Sequence, residues 1–405
     1  MPTLLSINNY HYRRGGADAV FLDHNDLFRQ NGWNVVPFAM EHDKNLDSEW
    51  SGNFVEEVEL GNRYGLLDTV RKATKSVYSF EARRKVRGLI TAAQPAIAHG
   101  HNIYHHLSPS ILGAIKACGL PVVLTLHDLK IACPAYKMMT HDGICERCKS
   151  GRLDNVLWHR CVHSSLSVSA LVFVEAVLHR LLRSYRRYVD MFVVPSRFYL
   201  DKFVEWGWAA DRFRYIPNFV DFEDLQPDFQ PGRTFVYFGR LSAEKGIGTL
   251  IKAAAAAGAD LQIAGTGPYE DELRALAERL GSNAQFMGYQ SGEALHDLVR
   301  SARAVILPSE WYENAPISVL EAYALGTPVI GARIGGIPEL ITEGETGWTF
   351  EAFSHEALAS VIRTVAEQPD EKLVMMGRAA RDWVAGRFSR QAYFDRCADL
   401  YRELL

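Results

Sequence analysis

The sequence predicts an α/β protein of two doubly wound domains facing each other across a cleft. Three observations carry this. The chain has 405 residues, whereas single hydrophobic cores stop growing near ~250–300 residues. Short apolar runs alternate with helix-period segments along the whole length, as in parallel sheets covered on both faces. The alternation lapses once, between Ile216-Pro217-Asn218 and Pro231-Gly232, where three prolines and several acids read as a linker.

In the first half the expected strands are Leu4–Ile7, Val35–Phe38, Ala96–His99, Val122–Leu126 and Met191–Val194. In the second they are Thr234–Phe238, Leu261–Ala264, Ala284–Met287, Ala304–Leu307 and Val329–Gly331. Helical periodicity marks Asp18–Asn31, Tyr269–Gly281, His355–Ala366 and the last segment, Ser389–Leu405. The expected domains are therefore 1–217 and 233–387, joined by a linker at 218–232. A terminal helix at 388–405 follows.

Composition narrows the function. Hydrophobic content of 48% and charged content of 23% suit a folded globular chain. A net charge of −4 gives no general attraction to nucleic acid. No basic-then-apolar leader opens the chain, and the longest near-apolar stretch, Ser164 to Leu178, is interrupted by Glu175. A cytoplasmic protein is expected, with its six cysteines as thiols or metal ligands rather than disulfides.

In open parallel sheets ligands bind at the carboxyl ends of the strands, so the loops after strands are the candidates. Arg13-Arg14-Gly15-Gly16 precedes a helix, and its glycines would let backbone N–H groups approach a phosphate. Gly239-Arg240 to Lys245-Gly246 follows the first strand of the second half. Its two cations would clamp a diphosphate, Arg240 by a planar fork and Lys245 as a point charge. Gly265-Thr266-Gly267-Pro268 would allow close approach of a nucleotide. Glu313 and Glu321 stand eight residues apart around Asn314-Ala315-Pro316-Ile317. Pro316 suits a first helical position, so that turn would aim a helix N-terminus into the cleft. The two carboxylates would accept hydrogen bonds from sugar or ribose hydroxyls.

Together with Phe286-Met287-Gly288-Tyr289, Leu307-Pro308-Ser309 and Gly335-Gly336-Ile337-Pro338-Glu339, these motifs resemble the retaining glycosyltransferases with two Rossmann-like domains. That is the GT-B fold, family 4-like and group 1, of the kind that builds polysaccharides, lipopolysaccharides and glycolipids. The resemblance is dense over about residues 233–350 and looser before them. It implies that Arg240 and Lys245 neutralise the donor diphosphate, with backbone contacts from Gly15, Gly16, Gly239, Gly265 and Gly267. It further implies that Glu313 binds donor-sugar hydroxyls and Glu321 the ribose, with the Asn314–Ile317 turn holding sugar and phosphate. It places His127, after the Val122–Leu126 strand, near donor and acceptor; His101, in His99-Gly100-His101-Asn102, is a weaker candidate outside that resemblance. The family's usual glycine-rich turn is here Asn-Ala-Pro, which leaves the donor sugar open. The implied donor is a UDP- or GDP-linked sugar, the acceptor a saccharide or lipid-linked saccharide, and the terminal helix crosses back to the first domain. Without an Asp-x-Asp pair after a strand, metal-independent chemistry is expected. The resemblance implies retention of configuration, and with no carboxylate standing out as a covalent nucleophile, attack from the face of departure is expected. The rival readings are a nucleotide-sugar epimerase of similar architecture and a catalytically silent nucleotide-sugar-binding subunit.

Two features lie outside those motifs. Cys133, Cys145, Cys148 and Cys161 surround one Cys-x-x-Cys, which reads as a structural zinc site, as ordinary thiols or as a redox pair. His163 is a substitute ligand in the first reading, and Cys118 and Cys397 read as ordinary thiols. Residues 71–90 carry seven basic side chains against one acid, namely Arg71, Lys72, Lys75, Arg83, Arg84, Lys85 and Arg87. Arg180, Arg183, Arg186 and Arg187 form a second basic stretch with Leu181, Leu182 and Tyr185. Either suits peripheral contact with the inner membrane face.

Overall fold

The computed structural model describes residues 1–57, 74–140 and 142–405. Two six-stranded parallel sheets carry the fold, plus one two-stranded hairpin. The first sheet comprises β1 (Thr3–Ile7), β2 (Asn34–Phe38), β3 (Ile97–Gly100), β4 (Val122–Thr125), β7 (Met191–Val194) and β8 (Phe213–Tyr215). Its order is β2-β1-β3-β4-β7-β8. The hairpin joins β5 (Met139–Thr140) to β6 (Gly143–Ile144). The second sheet comprises β9 (Phe235–Phe238), β10 (Leu261–Ala264), β11 (Ala284–Gly288), β12 (Val305–Leu307), β13 (Val329–Ala332) and β14 (Gly347–Phe350). Its order is β11-β10-β9-β12-β13-β14.

The two halves are both doubly wound but not identical. The second sheet reverses between β9 and β12, the dinucleotide-binding order. The first reverses between β1 and β3, the flavodoxin-like order. Each reversal opens a crevice at the strands' carboxyl ends, and the candidate residues sit there. The central strands are apolar runs buried on both faces, for example Val122–Thr125 and Val329–Ala332, because helices cover both sides. The expected strands are all present, with ends shifted by a residue or so. Sequence reading missed β8, β14 and the hairpin.

The helix Arg390–Leu404 lies on the first domain. Its Tyr393, Cys397, Leu400 and Tyr401 join the core of Leu4, Leu27, Phe28, Val35 and Ile97. Ser389 caps it by accepting the Ala392 N–H. Thus the chain passes from the second domain back to the first, and one apolar face fastens the two together.

Side chains also cross between the domains. Asn314 donates to the Leu126 carbonyl (3.0 Å) and accepts from the Ser196 hydroxyl (2.8 Å). Glu339 accepts the Arg197 and Phe198 N–H groups, at the start of the helix Arg197–Glu205. A carboxylate suits that N-terminus, where N–H groups lack helical partners.

Candidate functional site

The loop after β9 and the loop after β12 meet at the second domain's switch point. Lys245 Nζ lies 2.6 Å from Glu313 Oε1, and the Ser309 hydroxyl donates to that same oxygen at 2.7 Å. Glu313 is buried, with 6% of its surface exposed. Burial alone would raise its carboxyl, but the Lys245 ammonium and the Ser309 hydroxyl outweigh that and hold it below the ordinary glutamate range. Glu313 is therefore an anion at neutral pH, already bonded on one oxygen. Beneath the pair, the Trp311 ring lies 5.3 Å from Lys245 Nζ. Arg240, at the loop's start, is exposed and has no ion pair among the described residues.

Pro316 occupies the N-cap, not the first helical position, because its ψ of 119° keeps it extended. The helix runs Ile317–Ala324. Pro316 also has no N–H, so the turn offers only the N–H groups around it. The Asn314 side chain is engaged by Leu126 and Ser196, and the Ala315 carbonyl accepts from Asn218 at 3.0 Å. Both residues therefore bridge parts of the fold. Glu321 lies on the helix, and its carboxylate has no hydrogen bond among the described residues. Burial, and then the charge of Asp23 on the first domain, push its carboxyl up to about 7.

On the first domain, His127 follows β4 and its Nε2 lies 2.9 Å from His101 Nδ1. His101, after β3, stacks on His99. His99 meets the Tyr401 and Thr125 hydroxyls, so the terminal helix reaches this row. Burial lowers His127 to about 4, making it an uncharged imidazole at neutral pH. His24, His99 and His101 bring ring nitrogens within 4.8 Å of one another. Both nitrogens of His99 and of His24 already face hydroxyls.

The glycines divide into two kinds. A Cβ on Gly265 would lie 1.9 Å from the Gly239 carbonyl oxygen, and on Gly267 2.2 Å from that of Leu241. Those glycines let the loops after β9 and β10 stack. Gly16 starts the helix Gly16–Gln30, Gly15 is its N-cap, and a Cβ on Gly16 would meet nothing within 4 Å. We expect Gly265→Ala to lower the melting temperature and Gly16→Ala to leave it unchanged. If a phosphate approaches Gly16, Gly16→Ala still weakens nucleotide binding in titration calorimetry.

The four cysteines Cys133, Cys145, Cys148 and Cys161 line one small cavity of about 10 Å³. His159 lines it and His163 does not. All six cysteines are free thiols. Burial raises Cys133 to about 11 and Cys148 to about 12.

The basic stretches are less continuous than their sequence. Arg71 and Lys72 lie outside the described residues. Lys75 pairs with Glu56 and Glu81, Lys85 with Glu41 and Glu81, and Arg83 donates to the Ser110 carbonyl. The second stretch is not one amphipathic helix. It breaks at Arg183, whose φ is 51°, between the helices Leu166–Leu181 and Ser184–Tyr188. Among the described residues, no helix is long and apolar enough to cross a membrane.

Residues 14–224 match the model of Glycosyltransferase Family 4, and residues 224–383 that of Glycosyl transferases group 1. The alpha-D-kanosaminyltransferase of Streptomyces kanamyceticus is 32% identical over 176 residues, 42% of this chain and 45% of the relative. A sulfoquinovosyl transferase of Arabidopsis thaliana is 31% identical over 221 residues, 50% of this chain and 42% of the relative. The chain thus spans about half the length of the curated relatives it matches. In fold it is similar to Anabaena HepE, solved with UDP and glucose (TM-score 0.70, 18% identity, all of both chains). Sucrose-phosphate synthase from Thermosynechococcus elongatus is also similar (TM-score 0.72, 18% identity, 100% of this chain and 99% of that one).

Proposed function

This chain belongs to glycosyltransferase family 4, and from that premise we propose that it moves a sugar from a nucleoside-diphosphate sugar to a saccharide acceptor with retention at the anomeric carbon. The observation that carries the reading is the Lys245–Glu313 pair beside Arg240 at the β9/β12 switch point. Charge develops on the leaving diphosphate, and Arg240 with Lys245 answers it in a partly water-excluded site. Glu313, ionised and bonded on one oxygen, accepts from donor-sugar hydroxyls. His127, uncharged, hydrogen-bonds sugar or acceptor without becoming the proton acceptor. That role falls to the departing diphosphate, on the face the acceptor attacks. Glu321 accepts from the ribose.

The test is a panel of nucleotide-sugars followed by thermal shift and nucleoside-diphosphate release. One donor should raise the melting temperature and turn over, with both effects lost in Arg240→Ala. Since two side-chain cations serve the diphosphate, adding Mg²⁺ or Mn²⁺ should leave the rate unchanged. No shift with any donor, in a folded sample, would favour a silent subunit.

A lipid-linked acceptor at the inner membrane face is part of this reading. Leu166, Val174, Leu181 and Leu182 are exposed apolar side chains of one helix and its end, with Leu181 77% exposed. Arg180 and Arg183 beside them are exposed too. Such a surface suits anionic lipid. Anionic vesicles should co-sediment the protein, and Leu181→Glu should weaken this. Equal recovery with neutral vesicles would count against it.

A further inference from the structure

We propose that Cys133, Cys145, Cys148 and Cys161 hold a structural zinc ion, and that this zinc knuckle braces the donor side of the cleft. Four thiol-bearing residues from separate turns line a single small cavity; no three of their sulfurs lie within 4.8 Å of one another, so binding would draw them together. Cys145 and Cys148 bracket two residues just after the β5–β6 hairpin. Cys133 enters from twelve residues before and Cys161 from thirteen after. An all-cysteine set with no opening for a substrate is the pattern of structural zinc. On binding, four thiols release four protons to solvent and four sulfur–zinc bonds form. The site then carries two net negative charges, with Arg147 and His159 nearby.

Backbone strain supports a staple independently. Four non-glycine residues between Cys133 and Cys161 have positive φ, namely Tyr136, Met138, Ser150 and Arg160. Each costs of order 1 kcal/mol or more, and such conformations persist only where surroundings over-determine them. The segment supplies little regular structure of its own. Its hairpin strands have two residues each, and its helix Asn155–Trp158 has four. A metal supplies the missing constraint.

The knuckle touches the donor loops on both sides. Glu146, between the paired cysteines, accepts from the Tyr312 hydroxyl at 2.9 Å and pairs with Lys202 at 2.7 Å. Lys137 pairs with Glu244 at 3.2 Å. Tyr312 immediately precedes Glu313, and Glu244 immediately precedes Lys245. The ion therefore holds the loop that presses on both halves of the central ion pair.

The experiment is metal analysis of the full chain, purified without chelator and exchanged into metal-free buffer. About one zinc per chain is expected, falling to under about a tenth in Cys145→Ser/Cys148→Ser. If that variant does not fold, the wild-type protein loaded with Co²⁺ decides. Intense thiolate-to-cobalt charge transfer supports the site, and imidazole-type bands without it overturn the proposal. Zinc lost in His99→Gln but kept in the cysteine variant would place the ion at the histidine row, also overturning it. A folded native protein without zinc, with these thiols freely titratable or disulfide-linked, does the same. For the brace, zinc-depleted enzyme should show a raised donor KM that added Zn²⁺ restores. An unchanged KM removes the brace and leaves the metal site standing.

Discussion

Lys245→Ala should lower kcat/KM by about 10²–10³, the usual cost of removing one preorganised group that stabilises developing charge. The same change should also destabilise the fold, and pH separates the two effects. In the intact protein Glu313 is held below its ordinary range. It therefore contributes stability above the unfolded glutamate value, lost as pH falls through the depressed folded value. Without the ammonium, burial is opposed mainly by Ser309, and the folded carboxyl rises above its unfolded value. The native chain then holds an extra proton, so stability falls as pH rises. The deficit should be roughly 1–3 kcal/mol near pH 8 and smaller near pH 5. Thermal unfolding at several pH values measures it. Lys245→Met/Glu313→Gln removes both charges, so it should regain most of the stability while the rate stays low. Joint recovery of rate and stability would make the pair structural only.

The site was legible in the sequence where chemistry and position coincide. Arg240, Lys245 and Glu313 follow strands whose apolar runs are unmistakable, so their loops could be placed at the sheet's carboxyl edge. Ser309 and Trp311 were missed as partners because nothing in their spacing says which oxygen or ammonium they meet. Asn314 looked like a ligand group, and its engagement with Leu126 and Ser196 depends on the other domain's approach. Gly265 and Gly267 show the same limit. Sequence says that a Cβ is absent, and only packing says whether a ligand or a second loop needs the space. Among the strands, β8 and β14 escaped notice because both are short edges. Phe213–Tyr215 contains an arginine, and Gly347–Phe350 opens on a glycine. Edge strands need less apolar surface and so carry weaker patterns.

Glu321 carries the opposite balance, and its replacement should separate stability from function. Burial and Asp23 raise the folded carboxyl to about 7, well above the unfolded value. Between those values the native state keeps a proton that the unfolded chain has lost, so stability declines as pH rises toward 7. Above pH 7 an unpaired anion is held in the fold at a cost. Glu321→Gln should therefore stabilise the free protein by roughly 1–3 kcal/mol at pH 8 and by little below pH 4.5. A group that destabilises the free fold persists where a ligand uses it. Ribose hydroxyls donate to the ionised form, so donor affinity should fall as pH drops below about 7. Glu321→Gln should bind donor about 10–100-fold more weakly, the range for hydrogen bonds to a charged acceptor. Asp23→Asn distinguishes this group from any other titrating near neutrality. It removes one cause of the raised value, so the inflection in donor affinity should move to lower pH while affinity at pH 8 is kept. An inflection that stays in place would assign the titration to the donor or to another residue, and the ribose role of Glu321 would fall with it.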